Sequence, residues 1–276
     1  MFNICFASRE SVPYFAEVAR LLQYSLDDLG HSCRVSVGEV AHGAVNILLD
    51  YHKIRNGEVL YGYRYVPFQL EQLADAAFSL HEERLELLRN AFCIWEYSAV
   101  NMAHLQPYGL PVLHLPVGWH PRLDMLDHDA PKDIDVLFYG FVNERRKRVL
   151  DALANADVNL RVLQGVFGRE RDACIERAKL VLNLHYYETG ILETVRLSYL
   201  LNNGVCVLTE QAPDNPLARL GLATAPFGKL VPACLRLLEK DDARREIASR
   251  NSRRFAREWD MRRLLRPVLA AMAARG

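Results

Sequence analysis

The 276-residue chain is half hydrophobic and one-quarter charged, and its 34 basic and 34 acidic side chains cancel to a formal net charge of zero. That balance excludes extensive disorder and gives nucleic acid no broad electrostatic handle, while the length is hard to arrange around one core and suits two domains. Six scattered cysteines (Cys5, Cys33, Cys93, Cys174, Cys206, Cys234) form neither a CxxC pair nor a zinc-finger spacing, so reduced thiols in a cytoplasmic protein are expected. The N-terminus reads as a strand instead of a signal peptide, and no apolar run approaches the length that spans a bilayer.

In chain order, Asn3–Ala7 reads as a strand and Tyr14–Leu29 as an amphipathic helix stopped at Gly30. Cys33–Val37 and Val45–Leu49 are the next strands. A loop rich in Tyr, Gly and Arg (Asp50–Arg64) and a short extended piece at Tyr65-Val66-Pro67 follow, and Phe68–Gln72 is expected to open a helical segment. A helix over Glu82–Asn90, a strand over Phe92–Trp95, a helix ending at Leu105 and a strand over Pro111–Leu115 complete a first domain, residues 1–122. Pro116–Asp129, with two prolines, a glycine and several acids, reads as the link.

The second domain, residues 123–276, restarts the alternation. Asp135–Tyr139 is a strand, a helix opens at Glu144-Arg145-Arg146-Lys147-Arg148, Val158–Leu163 is a strand and Arg169–Ala178 a helix. The centre of the domain is Lys179–Glu210: a buried strand (Leu180–Leu184), a polar and aromatic loop (His185–Gly190), a helix (Ile191–Asn202) and a strand (Val205–Leu208). That is a βαβ unit, with right-handed crossover expected. Helices near Leu230–Leu238, Ala243–Trp259 and Met261–Ala274 close the chain.

Two turns carry the chemistry. The His185–Gly190 loop lies at the carboxyl end of a parallel strand, before a helix N-terminus, where free N–H groups and the helix dipole suit a phosphate. Glu193 could accept hydrogen bonds from a ribose, or could simply complement the dipole while Tyr186 and Tyr187 pack. In the other turn, Gly140 lets a ligand approach the backbone and Arg145 or Arg146 could pair with a diphosphate; the alternative is a solvated basic face. His52, Glu71 and Glu96 fall at or just after strand ends and are candidate acid/base groups of the first domain, or structural ones. There is no HExxH, clustered metal ligand set, GxSxG, P-loop or GxGxxG. The arginine-rich closing helices (Arg253, Arg254, Arg257, Arg262, Arg263, Arg266) suit an anionic membrane surface, or packing of their apolar stripe against a domain.

Phe68-Gln69-Leu70-Glu71-Gln72, Ile94-Trp95-Glu96-Tyr97-Ser98, Leu115-Pro116-Val117-Gly118-Trp119, Asp135-Val136-Leu137-Phe138-Tyr139-Gly140 and the Lys179–Glu210 unit together resemble GT-B glycosyltransferases. The likeness is nearest to the bacterial group 1 glycosyltransferase-like proteins, including the CgeB-like branch. The resemblance implies an α/β fold of two Rossmann-like domains with parallel sheets, facing each other across a cleft, and a helical C-terminus. It implies transfer of a sugar from a nucleoside-diphosphate sugar to an unidentified acceptor, without metal or resident cofactor. A non-catalytic nucleotide or sugar-nucleotide binding protein of the same fold is the alternative. Carried over by position, Gly140, Asn143, Arg145 and Arg146 would lie at the donor diphosphate. His185, Tyr187, Glu188, Gly190 and Glu193 would hold phosphate and ribose, and His52, Glu71 and Glu96 would serve the acceptor. The family's two glutamates separated by seven residues are absent; Glu188 and Glu193 stand closer.

Overall fold

Short apolar runs bounded by turn residues become parallel strands, and central ones such as Phe2–Phe6 and Ala178–Asn183 are buried on both faces. The computed structural model describes residues 1–73, 80–187 and 190–275. Its contacts divide the chain into unit 1, Met1–His120 together with the chain from Trp259 onward, and unit 2, Pro121–Glu258.

Unit 1 holds β1 (Phe2–Phe6), β2 (Cys33–Val37), β3 (Val45–Leu48), β4 (Arg64–Gln69), β5 (Ile94–Glu96) and β6 (Val112–His114), in the order β2-β1-β3-β4-β5-β6. All pairs are parallel. The connecting helices are α1 (Val12–Asp28), α2 (Glu82–Arg89) and α3 (Ala99–Leu105). The helix expected to open at Phe68 is instead the end of β4, whose residues from Tyr65 to Gln69 are buried. β4 pairs with β3 as far as Pro67 and with β5 from Phe68, so the proline sits where the ladder changes partner and its missing N–H is tolerated.

Unit 2 holds β7 (Ile134–Tyr139), β8 (Leu160–Leu163), β9 (Ala178–Asn183), β10 (Val207–Glu210) and β11 (Ala223–Ala225), in the parallel order β11-β10-β9-β7-β8. Strand β11 is too short to announce itself by periodicity. The helices are α4 (Glu144–Ala154), α5 (Gly168–Arg177), α6 (Thr194–Asn202), α7 (Leu230–Leu238) and α8 (Asp241–Glu258). Val136, Phe138, Leu180, Leu182, Leu208 and Leu230 centre its core.

The last helix, α9 (Met261–Ala273), was expected with the second half and packs in unit 1 instead, against α1. Its stripe of Met261, Leu265, Val268 and Met272 is buried, so the apolar face that suited a membrane is taken up inside the protein. Arg253, Arg257, Arg263 and Arg266 stay exposed. Arg262 ties the helix down through Asp28 at 3.0 Å and Asp260 at 2.6 Å. Among the described residues no helix is long and apolar enough to cross a membrane.

Candidate functional site

In each sheet the strand order reverses beside the first strand of the unit, between β1 and β3 and between β7 and β9. Open α/β sheets bind ligands outside the carboxyl ends of the strands at such a reversal. The two crevices differ in what fills them. In unit 1 the buried Asp50, just past β3, accepts hydrogen bonds from the amides of Ala7 at 2.6 Å and Ser8 at 3.0 Å. A carboxylate of the chain itself therefore satisfies the donors that would otherwise receive a phosphate.

In unit 2 the turns after β7 and β9 are stitched together by side chains. Asn143 caps α4 by accepting from the Arg146 amide at 3.0 Å, and its Nδ2 donates to the Tyr186 carbonyl at 2.9 Å. Arg146 is buried and donates to the carbonyls of Phe141 at 2.7 Å and Leu184 at 2.5 Å. Arg145 donates to the His185 carbonyl at 3.3 Å and forms a forked ion pair with Glu210, at the carboxyl end of β10. Its guanidinium also lies 4.1 Å from the Phe227 ring centroid.

Behind these loops lies a charged network. Glu193 Oε2 accepts from Asn183 Nδ2 at 3.0 Å and meets His185 Nδ1 at 3.0 Å, and Arg196 donates to Asn183 Oδ1 at 3.0 Å. Burial pushes the Glu193 carboxyl up, but His185 and Arg196 outweigh it and the net shift is downward. Burial pulls the His185 imidazole down, but Glu193 and Glu210 outweigh it and the net shift is upward. The two shifts agree on a charged pair. Burial, followed by the like charge of Arg196, lowers the Arg146 guanidinium to about 10. Glu193 Oε1 and Arg146 Nε are both buried without a hydrogen-bond partner. Glu193 Oε1 lies 3.9 Å from Arg146 Nη2, an ion pair without a hydrogen bond, so it keeps capacity for a water or a ligand hydroxyl.

Gly140 is where the backbone comes closest to this network. Its φ is +133°, and a Cβ there would stand 2.8 Å from an Arg196 guanidinium nitrogen. Gly140, Asn143, Arg145, Arg146, His185 and Glu193 are thus brought to one edge of one sheet. Gly190 is buried, Tyr187 packs edge-on to Tyr186 at 4.8 Å, and Glu188 lies outside the described residues. Two expectations shift in detail. Helix α6 starts at Thr194, so Glu193 precedes its first turn and points into the network rather than along the helix. Arg145 and Arg146 are committed to Glu210 and to carbonyls, whereas Arg196, Asn183 and Glu210 were not anticipated. Arg196 lies three residues beyond Glu193, one helical turn on and on the same side, and that spacing was the available signal.

The three candidates of unit 1 follow or end the successive strands β3, β4 and β5 and differ in character. Glu96, at the end of β5, is fully buried, with Oε1 accepting from the Ser98 amide at 2.8 Å and from Asn101 Nδ2 at 3.0 Å. Burial, which these bonds only partly offset, pushes its carboxyl well above the usual range. It braces the turn through these two bonds. Glu71, just past β4, is half-buried; burial raises its carboxyl to about 7, opposed by Lys53. Burial lowers His52 to about 4, with Asp50 opposing and Lys53 and Arg84 assisting. Among the described residues no three His, Cys, Asp or Glu side chains converge on a point that could hold a metal ion.

No family model matches the chain. Among curated relatives, it is 25% identical over 155 residues to the uncharacterised protein L140 of Acanthamoeba polyphaga mimivirus, covering 52% of this chain and 50% of that one. It is 33% identical over 76 residues to protein L137 of the same virus, 27% of this chain and 10% of that one. The chain thus spans half the length of the first relative or less of the others. Solved structures match over nearly the full length. An alpha-glucosyltransferase in complex with UDP and a 13-mer DNA containing an HMU base gives a TM-score of 0.69 at 10% identity, covering 98% of this chain and 99% of that one. The trehalose-phosphate synthase of Burkholderia xenovorans, in complex with glucose-6-phosphate, gives 0.62 at 12% identity over 97% and 82%. AviGT4, a glycosyltransferase of avilamycin A biosynthesis, gives 0.60 at 14% identity over 99% and 97%. At these identities the likeness concerns architecture: the chain has the fold of the GT-B glycosyltransferases, with two parallel α/β units in one polypeptide.

Proposed function

We propose that the protein transfers a sugar from a nucleoside-diphosphate sugar to a hydroxyl of a separate acceptor. The observation that carries this reading is the crevice at the β7–β9 reversal, where the Gly140 turn meets the Arg196 guanidinium beside the unsatisfied Oε1 of Glu193. Arg196 and the helix N-termini of α4 and α6 suit the diphosphate, and Glu193 Oε1 suits a ribose hydroxyl. Arg145, Arg146, Asn143 and His185 hold the two turns in place. In the reaction the acceptor oxygen bonds to the anomeric carbon of the sugar as the bond from that carbon to the diphosphate oxygen breaks. The diphosphate leaves with the electron pair, and the acceptor's hydroxyl proton passes to a base. Positive charge fixed at the leaving group lowers the barrier because the charge there grows in the transition state. Of the three carboxyl-edge candidates in unit 1, Glu71 has the pKa of an acid/base group, whereas Glu96 is enclosed.

Calorimetric titration with UDP tests the donor site. Losing one charge-assisted contact of about 1.5–3 kcal/mol weakens affinity roughly tenfold to a hundredfold, which is the effect expected of Arg196→Ala. An Arg196→Ala chain that binds UDP as tightly as wild type would remove the diphosphate from this crevice. Binding without turnover of any sugar nucleotide would leave the protein a binding module.

A further inference from the structure

We infer that the acceptor is anionic, and that its phosphate or carboxylate group is seated in a cavity of unit 1 between the turn after β3 and the start of α2. The word acceptor rests on the sugar-transfer reading above; the anion site itself does not.

The cavity has a volume of about 340 Å³. That is the lower end of the range for small-ligand clefts, enough for one charged sugar-sized group and too small for a long polymer segment. Tyr51, His52 and Arg55 line one wall, and His81, Arg84 and Leu87 the other. Tyr51 and Leu87 are buried and form the floor, with the charged groups at the more open sides. The two arginines come from opposite walls, one on a loop and one on a helix. Their planar guanidinium forks match phosphate and carboxylate oxygens, and a neutral hydroxyl gains much less from them. Among the described residues Arg55 makes neither hydrogen bond nor ion pair. Among the described residues Glu83 is the one carboxylate on the lining, and it is exposed. Lys53, on the same turn as Tyr51 and His52, adds a further positive charge.

The placement also fits the reaction. The cavity lies at the carboxyl edge of the unit 1 sheet, beside β3, and Glu71 follows β4, the neighbouring strand. Lys53 is near enough to act on the Glu71 carboxyl. An anion held here would leave the rest of a small acceptor beside the candidate base.

The test uses the full chain and three probes in calorimetric or ligand-observed NMR titration: glucose 6-phosphate, glucuronate and glucose. At least one anionic sugar is expected to bind at least tenfold more tightly than glucose, and the stronger of the two assigns the group as phosphate or carboxylate. Arg55→Ala, an exposed substitution that the fold tolerates, and Arg84→Lys are each expected to weaken that binding about tenfold. Raising the salt concentration is expected to weaken it too. Equal binding of glucose, no binding of either anion, or unchanged affinity in Arg55→Ala would overturn the inference. The wild-type titration with UDP reports on the donor crevice separately, so failure of one site is not read as failure of the other.

Discussion

Glu71 and Glu96 end adjacent strands and were indistinguishable as letters, yet they are different acids in the folded chain. With its carboxyl raised to about 7, Glu71 accepts a proton only above that pH. Turnover is therefore expected to fall on the acid side along a limb with an apparent pKa of about 7, and Glu71→Gln is expected to abolish that limb along with most activity. A flat rate profile from mildly acid to neutral pH would exclude Glu71 as the base. Glu96 is raised in the same direction but is enclosed, so its titration is read in stability instead of turnover. Its folded pKa lies well above the ordinary value, so the folded chain keeps a proton that the unfolded chain releases. Stability is then lost as pH rises from the unfolded pKa toward the folded one. Glu96→Gln retains an acceptor for Ser98 and Asn101 and removes the titration. Its melting temperature is expected to vary less than that of wild type between about pH 5 and pH 8. A parallel decline in both proteins would show that Glu96 is ionised in the fold. The strand ends located these residues from the sequence, but the enclosure that separates their roles comes from Trp95, Asn101 and neighbours that no local pattern reports.

At the scale of elements, the βαβ unit from β9 to β10 was legible because each part is locally consistent: a run of buried apolar residues, a polar turn, an amphipathic helix, and Asn203-Gly204 as its stop. What the local pattern could not fix was the partner of each turn. The Gly140 turn and the His185 turn are far apart in sequence and meet because β7 and β9 pair directly. Arg196 escaped notice for the same reason, since its importance lies in facing a glycine of another element. That contact gives the turn its own prediction. Gly140→Ala places a methyl group where the Arg196 guanidinium lies, at a φ that side chains rarely adopt. A cost of about 1–3 kcal/mol and a loss of UDP affinity comparable to that of Arg196→Ala are expected. Combined with Arg196→Ala, the Gly140 substitution should cost little additional affinity, because both remove the same contact. Additive losses in the double variant would mean that the glycine serves the ligand by another route.

The whole molecule departs from its sequence in one respect: unit 1 is discontinuous. Two α/β halves could be read from the alternation of strands and helices, but the destination of a terminal amphipathic helix is set by which exposed stripe accepts it. Here α1 offers that stripe, and the junction is built closely. Trp119 donates to the Trp259 carbonyl at 2.7 Å, Met261 donates back to the Trp119 carbonyl at 2.9 Å, and the buried His120 meets Asp28 at 3.1 Å. Gly118 lies so near that a Cβ would press on the Trp259 carbonyl oxygen and stand 2.9 Å from Leu264 Cδ1. A chain ending at Glu258 would therefore damage the unit farthest from the cut in sequence. Limited proteolysis of that truncation is expected to degrade unit 1 first while a fragment of residues 121–258 survives, since Pro121–Glu258 has its own sheet and core. A synthetic peptide of residues 259–275 should restore protection. Gly118→Ala is expected to act in the same direction more mildly, by about 1–3 kcal/mol, because the backbone oxygen it meets cannot move without giving up the Trp119 hydrogen bond. If the truncated chain instead loses unit 2 first, or if the peptide protects nothing, the terminal helix is an ornament on α1 and the unit closes without it.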